Sequence, residues 1–363
     1  MALRPQEAAV VDHIVSCRTA ALGGHLYKCA TCDHELPVYN PCLDRHCPKC
    51  HRLKQAQWVD ARAKDLLPIP YFHVVFTVSR ELHPLFLASR AIAYACLFAA
   101  AAETLLEVAK RRLKAKVGIL AVLHTWTQTL LQHPHIHCIV TGGGLSLDGQ
   151  QWKACKPNYF IAKRVLAEVF RGKLLKKLQR ALEKGELHFD LADGKRHLRR
   201  AARKRWVVDV RPPFAGPEVF LKYISRYVHR VAIDDRRIVD YDGRHVTFQY
   251  RDRRRGDVVR TMRLRATVFL RRFLLHLLPK NFFKIRSYGL LANCVKKKNL
   301  ARCRELLGPM PTPKPEAESA LLASDDDPEP KGYTCPKCSA RLVRGEALSP
   351  EPQASPSNPE QPP

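Results

Sequence analysis

Apolar and polar positions recur along the chain at spacings that divide most of it into strands and helices. Residues 71–78, Tyr71-Phe72-His73-Val74-Val75-Phe76-Thr77-Val78, are β-branched and aromatic, follow Pro70, and predict a strand. A long helix is expected over 82–116. Strands follow at 119–128 and 136–141, joined as a hairpin and closed by a Gly142-Gly143-Gly144 turn. Residues 161–182 place apolar side chains at helical spacing opposite a face of Lys and Arg. A short strand at 206–210 comes next. Gly216-Pro217-Glu218 has proline at a first helical position and an acid in the first turn, so a helix should run over 217–231. Strands at 245–250 and 258–264 flank a basic turn, and the chain after Thr267 reads as helical. No internal repeat is visible. The order strand, helix, strand, strand, helix predicts an α+β fold: helices on a central antiparallel sheet.

Two stretches escape this periodicity. The region before residue 60 has short loops, little apolar pattern and a concentration of cysteine. Beyond Gly308 the chain is acidic and proline-rich, with 13 of the 26 prolines and a net charge of −4. The expected organisation is therefore a small metal-stapled module over 1–60, a main domain over 65–308, and a mostly disordered tail over 309–363. That division matters because the whole chain carries +28, which leaves +32 on residues 1–308. Such a surplus suits a polyanion. The longest apolar run, residues 91–102, is about half of the roughly 20 residues of a spanning helix, and no secretory signal is visible at the N-terminus. These features favour nucleic acid over a membrane, in the cytoplasm.

The 13 cysteines are odd in number and clustered, which points to metal rather than disulfides in a reducing compartment. Cys29-x2-Cys32 and Cys47-x2-Cys50 are two thiolate knuckles, and the spacing predicts one tetrahedral zinc ion on those four residues. Cys42, His34 and His46 are spare donors. Cys335 and Cys338 form half a site, either an unpaired remnant or a knuckle completed elsewhere.

His135-Ile136-His137 on a strand places both imidazoles on one face and Ile136 and Cys138 in the core. The pair can chelate one divalent ion. Gln128 is the expected third ligand, with His124 and Gln132 as competitors. A mixed nitrogen and oxygen set with open positions suits Mg²⁺ or Mn²⁺ bound to a phosphate. Tyr223 and Tyr227 are four residues apart and share one helix face, with Arg226 and Arg230 on an adjacent face. Arg199 and Arg200, Arg253 and Arg254, and the lysines at 296–298 belong to basic runs that would neutralise backbone phosphates. Trp126, Tyr159 and Phe248 could stack bases, although core packing is their more ordinary role.

Taken together, the cysteine cluster with Tyr39-Asn40-Pro41-Cys42 and Arg45-His46-Cys47-Pro48-Lys49-Cys50, the Phe76-Thr77-Val78 strand, His124-Thr125-Trp126, His135-Ile136-His137 and the tyrosine pair resemble the two-tyrosine HUH transposases of the insertion-sequence 91 type. The resemblance covers about residues 16–308. It departs from the family in a short stretch before the cysteines and in Pro41, where serine is more usual. It implies a ferredoxin-like or RRM-like nuclease domain, with His135 and His137 as metal ligands and Tyr223 and Tyr227 as nucleophiles. The implied chemistry is cleavage and rejoining of single-stranded DNA through 5′-phosphotyrosine, with structural Zn²⁺ and catalytic Mg²⁺ or Mn²⁺. The implied partners are single-stranded DNA at transposon ends and target, a host helicase and the replication machinery, at the nucleoid. Alternative readings are a rolling-circle replication initiator and a non-catalytic zinc protein that binds nucleic acid.

Overall fold

The computed structural model describes residues 2–50, 61–62, 64–156, 160–211, 232–252, 255–308 and 333–351. They form two compact units. The first comprises the described residues up to Cys50, residues 234–236 and residues 333–351; the second comprises the rest.

The first unit opens with helix α1 (Pro5–Ser16), started by proline and by Glu7, whose carboxylate accepts the Arg4 backbone N–H at 3.0 Å. It precedes the cysteines, where no helix was expected. Strands β1 (Gly24–Cys29) and β2 (Glu35–Tyr39) form an antiparallel hairpin with Lys28 opposite Glu35. On the other edge of β1 lies the last strand among the described residues, β12 (Leu342–Leu348), with Cys29 opposite Leu342 and Gly24 opposite Leu348. The sheet order is thus β12-β1-β2. Gly23 permits the close approach of β12, because a Cβ there would collide with the Leu348 carbonyl. Residues 333–351 therefore join this unit, and the rest of the expected tail lies outside the described residues.

The second unit is built on β3 (Tyr71–Thr77), α2 (His83–Ala88), α3 (Arg90–Leu113), β4 (Ala115–Trp126), β5 (Gln132–Ser146), β6 (Trp152–Ala154), α4 (Lys163–Glu183), α5 (Leu191–Ala202) and β7 (Val208–Arg211). β3 and β4 both run antiparallel to β5, and β7 runs antiparallel to β3. In chain order this is strand, helix, strand, strand, helix, strand, with the spatial order β4-β5-β3-β7. That is the ferredoxin-like arrangement, and the fold is α+β as expected. β8 (Ile238–Tyr241), β9 (His245–Asp252) and β10 (Val258–Arg265) form a separate three-stranded sheet leading into α6 (Ala266–Leu274). β11 (Ile285–Gly289) then adds to the outer edge of β4, and α7 (Lys296–Leu307) follows.

Alternation decides which face each strand residue serves. Phe72, Val74 and Phe76 of β3, Ile119, Ala121 and Leu123 of β4, and Ile136, Cys138 and Val140 of β5 are all buried in one core with α3 and α4. Phe76 meets Phe170 of α4 with ring centroids 4.7 Å apart. On the opposite face, Tyr71, Val122 and Ile139 pack with Leu290 and with Leu300 and Cys303 of α7 in a smaller core. α3 is long and apolar enough to cross a membrane by length and composition. Here Leu97, Phe98, Ala101 and Leu105 are buried in the larger core, which accounts for its apolar character.

Three expectations are corrected. The single helix over 82–116 is interrupted at Ser89, whose hydroxyl accepts the His188 N–H at 2.7 Å, and it ends at Lys114, which takes a left-handed φ of 53°. Gly142, Gly143 and Gly144 continue β5 rather than turning; a Cβ at Gly143 would meet the Trp152 ring at 2.8 Å. The strand expected to reach Gln128 stops at Trp126. The helix expected over 217–231 lies outside the described residues.

Candidate metal centres

β4 and β5 bring three imidazoles together. His124 on β4 lies directly opposite His135 on β5, and His137 is two residues further along the same face. One ring nitrogen from each lies within 4.8 Å of the others. His124 and His137 are buried and His135 is half-buried. Gln128, the expected third ligand, sits in the turn beyond β4, where its carbonyl accepts a 2.5 Å hydrogen bond from Arg237. The register of the hairpin places His124, one of the competitors of Gln128, opposite His135.

Hydrogen bonds orient two of the rings. The Nδ1 of His135 donates to the His133 carbonyl at 2.7 Å, which puts the lone pair of the uncharged ring on Nε2. The Nδ1 of His137 lies 2.8 Å from Nε2 of His73, a buried residue of β3. A His137 that ligates through Nε2 donates from Nδ1 to His73, as metal-bound histidines characteristically do to a neighbouring acceptor. Burial, then the neighbouring His124 and His135, holds His137 well below its usual range, so its imidazole is neutral. His73 is lowered to about 4 by burial and then by Arg211, against the opposing effect of Asp209. Trp126 stacks on His124 with centroids 4.8 Å apart, and Phe248 is fully buried, so both aromatic side chains have packing roles. Tyr159 lies outside the described residues.

Three imidazole nitrogens on one face, backed by a sheet and with positions left for other ligands, can hold one divalent ion next to an anionic substrate. The chain leaves the described residues at Arg211, whose backbone pairs with His73 on β3, and re-enters them at Ala232. Tyr223, Tyr227, Arg226 and Arg230 fall between those points, outside the described residues, as do Arg253 and Arg254. Arg199 and Arg200 are exposed on α5.

The cysteines form two four-sulfur clusters rather than one. Cys17, Cys42, Cys47 and Cys50 make the first, and Cys29, Cys32, Cys335 and Cys338 the second, with the ligand atoms of each within 4.8 Å of one another. The single site expected from Cys29, Cys32, Cys47 and Cys50 is corrected by the hairpin. Cys29 and Cys32 sit at its turn, whereas Cys17 and Cys42 flank its open end. At about 3.3 Å per residue, the six residues of β1 separate the two ends by roughly 15–20 Å. Cys42, one of the spare donors, is thus a member of the first cluster, with its Sγ 3.8 Å from that of Cys50. His46 instead bonds Asp44 through Nδ1 at 3.1 Å. Against its burial, Asp44 is held below the usual carboxylate range by hydrogen bonds from His46 and then His13. Cys17 carries no short-range spacing signal of its own; its only hint in the sequence is its place at the edge of a cysteine-rich stretch.

Comparison with known proteins bears on both units. Residues 118–299 match a family model described as "Putative transposase", and residues 1–78 match one described as "Transposase zinc-binding domain". The chain is 45% identical to "Putative transposase y4qJ" of Sinorhizobium fredii, over 93% of this chain and 88% of that one. It is 31% identical to "Transposase for insertion sequence element IS801" of Pseudomonas savastanoi pv. phaseolicola, over 96% of this chain and 85% of that one. No solved structure matches.

Proposed function

The chain belongs to the insertion-sequence 91 family of transposases, and from that premise we propose that it cleaves and rejoins single-stranded DNA through 5′-phosphotyrosine links. The observation that carries the reading is the cluster of His124, His135 and His137 on a sheet face whose edge strand leads directly into the segment bearing Tyr223 and Tyr227.

In this reading the phenolic oxygen of one tyrosine attacks the scissile phosphorus and loses its proton. The bond from phosphorus to the 3′ oxygen breaks, leaving a free 3′-hydroxyl and a phosphate joined to tyrosine on its 5′ side. A 3′-hydroxyl then attacks that phosphotyrosine, restores a phosphodiester and releases the tyrosine. The link conserves the phosphodiester energy, so rejoining needs no ATP. A free phenol has a pKa near 10 and is a weak nucleophile at neutral pH. A divalent ion on the three imidazoles, Mg²⁺ or Mn²⁺, would supply positive charge at the scissile phosphate. Two tyrosines allow two strands to be held in succession. Arg226, Arg230, Arg199, Arg200, Arg253 and Arg254 are assigned to the DNA backbone. The partners of this activity are single-stranded transposon ends and target, a host helicase and the replication machinery.

The test mixes purified protein with labelled single-stranded oligonucleotides from the element's ends and Mn²⁺ or Mg²⁺. A denaturant-resistant adduct is expected. It should vanish with EDTA, in His135→Ala/His137→Ala, and when Tyr223→Phe and Tyr227→Phe are combined. Tight binding with no adduct under any metal would sink the reading and leave a zinc-stapled DNA-binding protein.

A further inference from the structure

The zinc-binding family match ends at residue 78, so it leaves Cys335 and Cys338 without a role. We infer that Cys29, Cys32, Cys335 and Cys338 hold a second structural zinc ion, which closes β12, β1 and β2 into one ribbon from segments 300 residues apart.

Geometry is the first support. Four sulfurs about 2.3 Å from one tetrahedral zinc lie about 3.8 Å from each other. Here Cys29 Sγ is 3.4 Å from Cys338 Sγ, Cys32 Sγ is 3.5 Å from Cys335 Sγ, and all four atoms lie within 4.8 Å. No disulfide joins any of the cysteines.

The second support is independent of the sulfurs. The two Cys-x2-Cys turns share one backbone design. The Asp33 N–H donates to the Cys29 carbonyl at 3.1 Å, and the Ser339 N–H to the Cys335 carbonyl at 2.8 Å. The Cys29 N–H donates to the His34 carbonyl at 2.9 Å, and the Cys335 N–H to the Ala340 carbonyl at 2.8 Å. The residue after each second cysteine takes a left-handed conformation, with φ 53° at Asp33 and 59° at Ser339. Two matching knuckles facing each other are the two halves of a zinc ribbon, whereas an unpaired remnant has no reason to keep the fold of its partner.

The third support is what the segment lacks. Among the described residues, Cys29, Cys335 and Leu342 are the buried members of the cluster around this site, with Tyr27, Leu36 and Ala340 packed on them. So small an apolar contact does not offset the conformational entropy of ordering residues 333–351. Metal binding supplies the missing free energy, as in other domains too small for a core.

The experiment counts zinc by elemental analysis in the full chain, purified with reductant. Two ions per chain are expected, falling to one in Cys335→Ser/Cys338→Ser and returning to two in Cys338→His, which restores a four-ligand site. One ion in the wild type, two in the serine variant, or Cys29–Cys338 and Cys32–Cys335 disulfides in the native protein would each overturn the inference. Should the serine variant fail to fold, hydrogen exchange on the wild-type chain decides. Chelation should expose the amides paired between β1 and β12 at Tyr27, Lys28, Val343 and Arg344; unchanged protection there would refute the site.

Discussion

The sulfur clusters and the histidine cluster gather ligands by opposite routes. Around the first cysteine cluster the buried side chains are Cys17, Cys47 and Cys50 themselves, with Ile14 and Cys42 packed against them. The ligands there take the place of a core. His124, His135 and His137 instead sit on a sheet whose other face carries Phe72, Phe76, Phe98, Phe170 and many more fully buried side chains. Their positions are imposed by a core that exists without them. Four thiolates close a coordination sphere and suit structure, whereas three imidazoles leave it open and suit chemistry. On the function proposed above, one chain uses metal to make a fold in one unit and uses a fold to make a metal site in the other.

The widest break between the two should come from removing zinc. Structural zinc sites contribute on the order of 10–16 kcal/mol of binding free energy, so chelation should abolish exchange protection in residues 2–50 and 333–351 and leave that of β3, β4 and β5 in place. Loss of protection in both units at once would show that the sheet depends on metal as well. The converse change is Phe98→Ala, which removes a fully buried ring beside Phe282 and should cost roughly 3–5 kcal/mol in denaturant unfolding of the sheet unit. Zinc content should not change.

A finer test separates the imidazoles from their support. His73→Leu removes the acceptor for His137 while keeping a buried side chain of similar bulk, and should weaken Mn²⁺ binding about 10–100-fold by calorimetry. Zinc content should stay the same, and His73→Asn, whose amide oxygen can accept, should recover part of the loss. The smallest effect concerns acid. His276 is buried between Thr125 and the Leu130 carbonyl, and burial lowers it to about 4 from an unfolded value near 6.5. The unfolded chain therefore binds the extra proton first as pH falls. Stability present above about 6.5 declines toward 4, by on the order of 1 kcal/mol at pH 5.5. Denaturant titrations of the sheet unit should show this slope added to that of the other buried histidines, and His276→Asn should remove the His276 share of it.

Much of the sheet was legible because its strands and helices obey their own periods. The strand at 71–78, the hairpin, the helix over 161–182 and the alternation that sends Ile136 and Cys138 inward all follow from local pattern. What was not legible depends on register and on distant segments. Gln128, His124 and Gln132 were all plausible third donors, and the pairing that sets His124 opposite His135 is not written in local spacing. The Gly142–Gly144 run looks like a turn because glycine usually marks one; its actual cause is the close approach of β6 and β4, which no local pattern reveals. The knuckles were recognised as zinc ligands, but their partners were not. Spacing fixes which two cysteines share an ion, and topology fixes which pairs meet.

The ribbon has a consequence in time. β1 is its central strand, and one of its two neighbours is made some 300 residues later. At roughly 5–20 residues per second, a chain leaving the ribosome keeps Cys29 and Cys32 waiting about 15–60 seconds for Cys335 and Cys338. A product of translation interrupted just after α7 has every strand of the sheet and the three histidines but never closes the ribbon. Such a chain would present an open strand edge and two unshielded thiols, a visible mark of incompleteness for the cell's proteases.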